Sequence, residues 1–276
     1  MAKAIFISGD GWLCVFDLLP ASQLGLGIAL ISHRFDCHFR QLFASFCPIN
    51  LAIITHNDRR ISEFLLRTIW PMFGKNIHSL ELSATFFHRL RQFAPSILND
   101  YPSLRFVSFT LDKLFTEFPC DDSAAASDGQ ALAKWLFTPL QNNVPKMLNC
   151  SLNTDDGILP SNIEAFKAAF ASASSPANFI IVFWFLRSYS VVPFDLTNES
   201  TREQLALKSI NNSDRFLLVR CPIARDESKW TKWEKEAIGW QIYDQWNKIE
   251  IQIYNEDEIG KGLLNPKVIG SKSAEK

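Results

Sequence analysis

Hydrophobic positions change their period along this chain. From 11 to 47 they recur at helical spacing. "WLCVFDLL" puts Trp12, Val15, Phe16 and Leu19 on one face, and Pro20 interrupts. Ser22 is placed to cap a second helix, in which Leu24, Ile28, Ile31 and Phe35 recur. Phe39 and Phe43 continue the pattern in a third short helix. This predicts a helical hairpin or triplet whose apolar faces are too small to form a large core alone.

After Pro48 the pattern becomes strands and helices in turn. "NLAIITH", "IHSLELS", "LRFVSFT", "KMLNCSLN", "NFIIVFWFL", "RFLLVRCPI" and "KIEIQIYN" read as strands. Between them, "SEFLLRTIWPMF" reads as a helix that Pro71 ends or kinks. "ATFFHRLRQFAPSILNDYP" carries Phe86, Leu90 and Phe93 on one stripe, and "GQALAKWLFTPL" is helical. "SNIEAFKAAFASA" has Ser161 as a cap and Glu164 at the capping-box spacing. The last helix runs from Trp230 to about Gln245. "CDDSAAASDGQ" (120–130) and "SASSPAN" (172–178) are polar, small-residue loops. Alternation of strand and helix predicts parallel strands joined by crossovers. Cores such as Leu80-Glu81-Leu82 suggest an irregular leucine-rich-repeat-like stack, though no Asn recurs at a fixed period. The fold class is therefore α/β. A helical segment at 5–47 precedes a strand–helix domain at 48–265, and the composition of 266–276 predicts a mobile tail.

Composition narrows the class. The chain has 276 residues, 47% hydrophobic and 21% charged, the mix of a globular protein long enough to bury a core. Its 23 Phe predict an aromatic core. A net charge of -1 gives no global field toward nucleic acid or membrane. "FIIVFWFL" is too short for a membrane span, which needs about 20 residues. "MAKAIFISGDGWLCVFDLLP" lacks the features of a secretory signal. The six Cys (14, 37, 47, 120, 150 and 221) show no C-x-x-C. Reduced thiols in the cytoplasm or nucleus are the expectation. The sequons at Asn149, Asn198 and Asn211 then carry no glycan.

Catalysis needs a positioned nucleophile, base or metal. The chain has no G-x-S-x-G, Walker loop or H-E-x-x-H. "GLG" at 25–27 follows no strand. His33, Cys37, His38 and Cys47 can be drawn as a zinc site, but the helix carrying His33 and Cys37 must also pack an apolar face. Asp121-Asp122 and Asp155-Asp156 fit turns better than a catalytic pair. The expectation is a non-enzymatic chain with no cofactor and no metal.

One cluster of aromatics stands out. "SKWTKWEKEAIGWQIYDQW" (228–246) holds four of the eight Trp. At about 100° per residue, Trp230, Trp233, Ala237, Trp240 and Asp244 share one helical face, and Lys229, Lys232, Lys235 and Glu236 lie off it. A core stripe with a solvated charged face is the simpler reading. A partner groove lined by Trp230, Trp233 and Trp240 is the sharper one. Interleaved acids and bases disfavour nucleic-acid stacking.

Two stretches resemble a known family. "WLCVFDLLPASQLGLGIALISHRFDCHF" (12–39) resembles the F-box-like segment of an expanded family of nematode F-box proteins. The matching residues are Trp12, Leu13, Phe16, Leu24, Gly25, Leu26, Ala29, Leu30, Ile31, Ser32, Arg34, Phe35, Asp36, His38 and Phe39. "FLLVRCPIARDESKWTKWEKEAIGW…QWNKIEIQI" (216–253) is similar to that family's C-terminal signature. The resemblance implies a substrate receptor of a cullin–RING ubiquitin ligase of the SCF type. It implies docking on a Skp-type adaptor through 12–39, with Leu13, Phe16, Leu19, Pro20, Leu24, Ile28 and Ile31 facing the adaptor or holding the hairpin. The partners implied are that adaptor, its cullin complex and a protein substrate, with no nucleic acid and no membrane. "IFISGDG" stands where an F-box opens with Leu-Pro, and Cys37 alone separates "RFD" from "HF". These departures define the alternative, an F-box-derived scaffold that does not join a ligase.

Overall fold

The computed structural model describes residues 49–55, 59–73, 76–109, 115–152, 158–185, 192–210, 215–245 and 248–253. The 5–47 helical segment and the tail lie outside them. The described residues form one nine-stranded sheet and five α-helices. Five strands run parallel and adjacent in chain order: β1 (Ile49–Thr55), β2 (Ile77–Leu82), β3 (Phe106–Phe109), β4 (Lys146–Leu152) and β5 (Phe179–Phe185). An antiparallel set extends the β5 side through β8 (Arg215–Pro222), β7 (Glu203–Ser209) and β6 (Phe194–Asn198). The last strand, β9 (Lys248–Ile253), pairs parallel with β1 at the opposite edge.

The crossovers carry α1 (Arg59–Phe64), α2 (Ala84–Phe93), α3 (Asp128–Phe137) and α4 (Ile158–Ala171) in turn. All four pack on one face, called here the front. Ile61, Phe86, Leu132 and Phe166, one from each helix, join a single buried cluster with the sheet row Ile249, Leu51, Leu80, Val107, Leu148, Ile181. Successive strand residues point to opposite faces, so every second residue of each strand shares this face. Rings fill the layer. Phe115, Phe118, Phe137 and Phe179 each lie within 6.5 Å, centroid to centroid, of Phe166. Each fully buried Phe contributes about 1.5–3 kcal/mol of transfer free energy. α5 (Glu227–Gly239) packs alone on the other face, the back, where Trp230 and Ala237 meet Phe106, Met147, Ile180, Val182, Leu217 and Val219.

Local chemistry explains the boundaries. Pro71 ends the first helix through a π turn (Leu65–Ile69) and a 3-10 turn (Trp70–Phe73). α2 stops at Phe93, short of the expected "APSILNDYP", because Pro95 follows. The polar loop at 120–130 ends in a cap: Ser127 accepts from the Gln130 N–H, and the Gln130 side chain accepts from the Ser127 N–H. Gly129 is needed there, since a Cβ would lie 2.7 Å from Glu117 Cγ and 2.8 Å from the Phe115 carbonyl. Two expectations are corrected. α4 begins at Ile158, so Ser161 lies inside its first turn and is not its cap. α5 spans Glu227–Gly239 with Asp226 as N-cap, so Trp240 follows the helix and Asp244 sits in a separate 3-10 turn (Ile242–Asp244). β6 and β7 were not legible as strands.

Candidate partner-binding surface

The back face divides in two. One register row crosses it as Lys248, Asn50, Ser79, Phe106, Met147, Ile180, Val219 and Ala206. Its neighbour runs Glu250, Ala52, Glu81, Ser108, Asn149, Val182, Leu217 and Lys208. Both rows are mainly polar over β9, β1 and β2, and apolar over β5 and β8. α5 covers the apolar half.

Ion pairs and rings fix α5 in place. Its N-cap Asp226 accepts from the Ser228 and Lys229 N–H groups. Arg225 donates from Nε and Nη2 to the two Glu227 carboxylate oxygens, both at 2.9 Å, and from Nη1 to Glu234 at 3.1 Å. Its guanidinium lies 5.5 Å from the Trp230 ring centroid. The carboxylates hold Arg225 firmly protonated, with the Glu227 hydrogen bonds the largest influence. Arg105, just before β3, grips Glu236 through two hydrogen bonds of 3.0 and 2.9 Å. Beyond the helix end, Trp240 stacks on Phe106 with centroids 3.6 Å apart, and the 3-10 turn then rests against β1 and β9. His78 sits beside Phe106. Burial, then the nearby Arg105 charge, lower its pKa, so the imidazole is neutral at pH 7.

The polar half holds a small network. Ser79 Oγ donates to Asn50 Oδ1 at 2.6 Å, both buried. Lys248 Nζ donates to Glu250 at 2.8 Å, and Gln252 donates to the other Glu250 oxygen. Burial pushes the Glu250 pKa up, but these hydrogen bonds and the Lys248 charge outweigh it and the net shift is down. Glu81 moves the other way. Burial and the Glu250 charge raise its pKa, and Lys248 offsets them only in part. Asn149 Oδ1 has no hydrogen-bond partner among the described residues. Gln252 is exposed, and Ser108, Asn149, Lys248 and Glu250 are half-buried.

Among the sequence-derived partner-binding candidates, the structure places Trp230, Trp233 and Trp240. Trp230 is buried between α5 and the sheet, and its ring meets Trp233 edge-on at 5.4 Å. Trp233 and Trp240 are half-buried, Trp233 against Trp230 and Trp240 against Phe106. The three rings therefore anchor α5 to the sheet. Leu13, Phe16, Leu19, Pro20, Leu24, Ile28 and Ile31 lie outside the described residues, as do His33, Cys37, His38, Cys47 and Asp155-Asp156. Asp121 makes a turn of the expected kind, accepting from the Ser123 N–H and hydroxyl. Sequence reasoning missed Arg105, Glu236 and Arg225. The usable signal was an arginine beside each end of the Trp helix's packing surface.

Among the described residues, concavities open between helices on the front side. One lies between α1 and α2. The other, of about 750 Å3, runs from Phe118, Pro119 and Cys120 along Ala165, Ala168 and Ala169 of α4. Burial raises the Cys120 thiol pKa, so it is not an activated nucleophile. Among the described residues no group of His, Cys, Asp and Glu is arranged to hold a metal ion, and no helix is long and apolar enough to cross a membrane. Comparison with models of protein families, with characterised proteins and with solved structures finds no match to this chain.

Proposed function

We propose that this chain is a non-catalytic protein-binding subunit, the substrate receptor of an SCF-type ubiquitin ligase in the cytoplasm or nucleus. Residues 12–39 dock on a Skp-type adaptor, and the α/β domain behind them, a leucine-rich-repeat-like stack in this reading, holds the substrate. The chain supplies binding and orientation, and partner subunits supply the transfer chemistry. The observation that carries the reading is the one-sided layering of β1 to β5. Strands in chain order with every crossover helix on the front leave a sheet face behind whose polar half lies outside α5; Asn50, Ala52, Ser79 and Glu81 are buried there, and Ser108, Asn149, Lys248, Glu250 and Gln252 reach solvent around them. A rigid face presenting Ser108, Asn149, Lys248, Glu250 and Gln252 suits recognition of a polypeptide.

Calorimetric titration of the full chain with a Skp-type adaptor tests the adaptor contact. The reading expects saturable one-to-one binding that the Leu24→Asp, Ile28→Asp double variant abolishes. A folded chain that gives no binding heat would instead support an F-box-derived scaffold outside any ligase, with the single Cys37 between "RFD" and "HF" as the altered element.

A further inference from the structure

The ladder at one edge of the sheet shows which backbone groups face outward. β6 is the terminal strand beyond β7, and among the described residues no strand pairs with its outer side. Pro222 has no N–H, and the next residue, Ile223, donates to the Arg202 carbonyl at 2.9 Å. That bond makes Glu203 and Pro222 an opposed pair without mutual hydrogen bonds, so the Glu203 N–H and C=O turn toward β6. There they pair with those of Asn198. Alternation along β6 then turns the backbone groups of Phe194, Leu196 and Asn198 toward β7. The N–H and C=O groups of Asp195 and Thr197 point away from the sheet, and both residues are exposed.

The side chains sort in the same way. Phe194 and Leu196 face the front, where they border the core cluster, and Lys167 Nζ of α4 lies 4.6 Å from the Phe194 ring centroid. Asp195 and Thr197 face the back, and Asp195 accepts through Oδ2 from Gln204 of β7 at 2.6 Å. Just ahead of the strand, Val192 is 75% exposed. This edge therefore offers two N–H and two C=O groups, one acid and an apolar border, the template a further strand would need.

We propose that the further strand is β6 of a second copy of this chain. It adds antiparallel, about a two-fold axis that passes through Leu196 perpendicular to the sheet. In that register Asp195 faces Thr197 of the second copy and Leu196 faces its own equivalent. Asp195 and Thr197 exchange both backbone hydrogen bonds across the interface, twice over, so every outward group is satisfied. The Thr197 hydroxyl is placed to donate to the Asp195 carboxylate opposite. Charge selects this register. A slip of two residues one way sets Asp195 against Asp195, and the other way sets it against Glu199, and like charges directly opposite are destabilising. A slip of one residue sets front-facing side chains against back-facing ones. The net charge of -1 adds no long-range repulsion between copies. The inference rests on β6 and is independent of the adaptor contact.

The test is sedimentation equilibrium of the full chain, with residue-resolved amide exchange at the same concentrations. A reversible monomer–dimer equilibrium is expected below about 100 μM, the weak association that suits a small interface. Exchange at Asp195 and Thr197 should slow as the dimer forms. Thr197→Pro removes one outward N–H per copy at an edge position that accommodates proline, and should weaken dimerisation at least tenfold. Thr197→Asp sets acid against acid and should weaken it several-fold, whereas Thr197→Lys sets a base against Asp195 and should strengthen it. Urea midpoints taken at dilution check that each variant is folded. A folded chain that stays monomeric would overturn the proposal, as would a dimer that leaves both amides exchanging freely or that Thr197→Pro does not weaken. Amides already protected in a monomer would reassign the edge to another segment of the same chain. Equal effects of Thr197→Asp and Thr197→Lys would overturn the register centred on Leu196.

Discussion

Two cations flank Phe179 in one row of the sheet's front face, and the protein treats them in opposite ways. Lys146 on β4 and Arg220 on β8 both oppose Phe179, and both are buried. Arg220 is given an acid. Glu203 of β7 accepts from its Nε at 3.1 Å and its Nη2 at 2.6 Å, Ser175 lends a carbonyl, and the rings of Phe137 and Phe170 lie 5.2 and 5.3 Å away. The other Glu203 oxygen accepts from the Ala177 N–H at 2.8 Å. Lys146 is given a carbonyl, that of Trp135 in the last turn of α3, and the face of the same residue's ring at 5.0 Å. Arginine keeps its proton, so its burial demands a counter-charge. Lysine can release its proton, and burial pulls the Lys146 pKa down from 10.5 to about 7.

The strongest way to break this contrast is to remove the acid. Glu203→Gln keeps an acceptor for Ala177 but leaves Arg220 charged and buried. A loss of about 3–5 kcal/mol is expected in urea unfolding. The Glu203→Leu, Arg220→Met double variant should lose less than the single one. If the double variant is the worse of the two, the pair is not held against a desolvation penalty.

Lys146→Met should act in the other direction. The lysine's folded pKa lies below its unfolded one. Between about pH 7 and 10.5 the unfolded chain therefore binds the extra proton, and stability rises with pH. Below that window the burial penalty is fully expressed. Methionine fills similar space without it, so the variant should gain about 1–3 kcal/mol at pH 7 and lose the rise toward pH 10. A destabilised variant with an unchanged pH profile would mean that the bond to the α3 carbonyl outweighs the penalty.

Much of this architecture was legible in the chain. Seven strands and the four crossover helices announce themselves through runs such as "FIIVFWF", which is apolar throughout because both faces are covered, by α4 on the front and α5 on the back. β6 and β7 were not legible, because "FDLTN" alternates but is only five residues long, and "EQLALKS" opens on an acid, Glu203, that is buried against the pattern. The direction of β8 was hidden too, since nothing local distinguishes an antiparallel neighbour of β5 from a sixth parallel strand. The Trp cluster was half legible. Helical spacing placed Trp230 and Trp233 correctly, but it carried Trp240 and Asp244 onto a helix that ends at Gly239, where the chain turns extended at Trp240. The back-face polar rows were the least visible. "LEL" reads as a buried apolar core, and only the strand order shows that Glu81 stands between Ala52 and Ser108, with Glu250 one strand further on.

Glu81 extends the comparison to an anion and predicts the smallest effect. It is buried, though less completely than the two cations, and the base whose charge reaches it, Lys248, is already engaged by Glu250. It therefore stands between Arg220, which has a counter-charge, and Lys146, which is given a carbonyl and a ring but no acid. Burial and then Glu250 raise its pKa above 4.5. A carboxyl whose folded pKa is raised favours the folded state while protonated, and that advantage is lost as pH climbs through the folded value. Glu81→Gln removes the titration while keeping the volume. It should leave stability nearly unchanged at pH 4 and raise it at pH 7, by less than the Lys146 change does. Urea midpoints at the two pH values decide the matter. An equal shift at both would assign the effect to packing, whereas a loss confined to pH 7 would show that the Glu81 carboxylate is stabilised on this face by Lys248 after all.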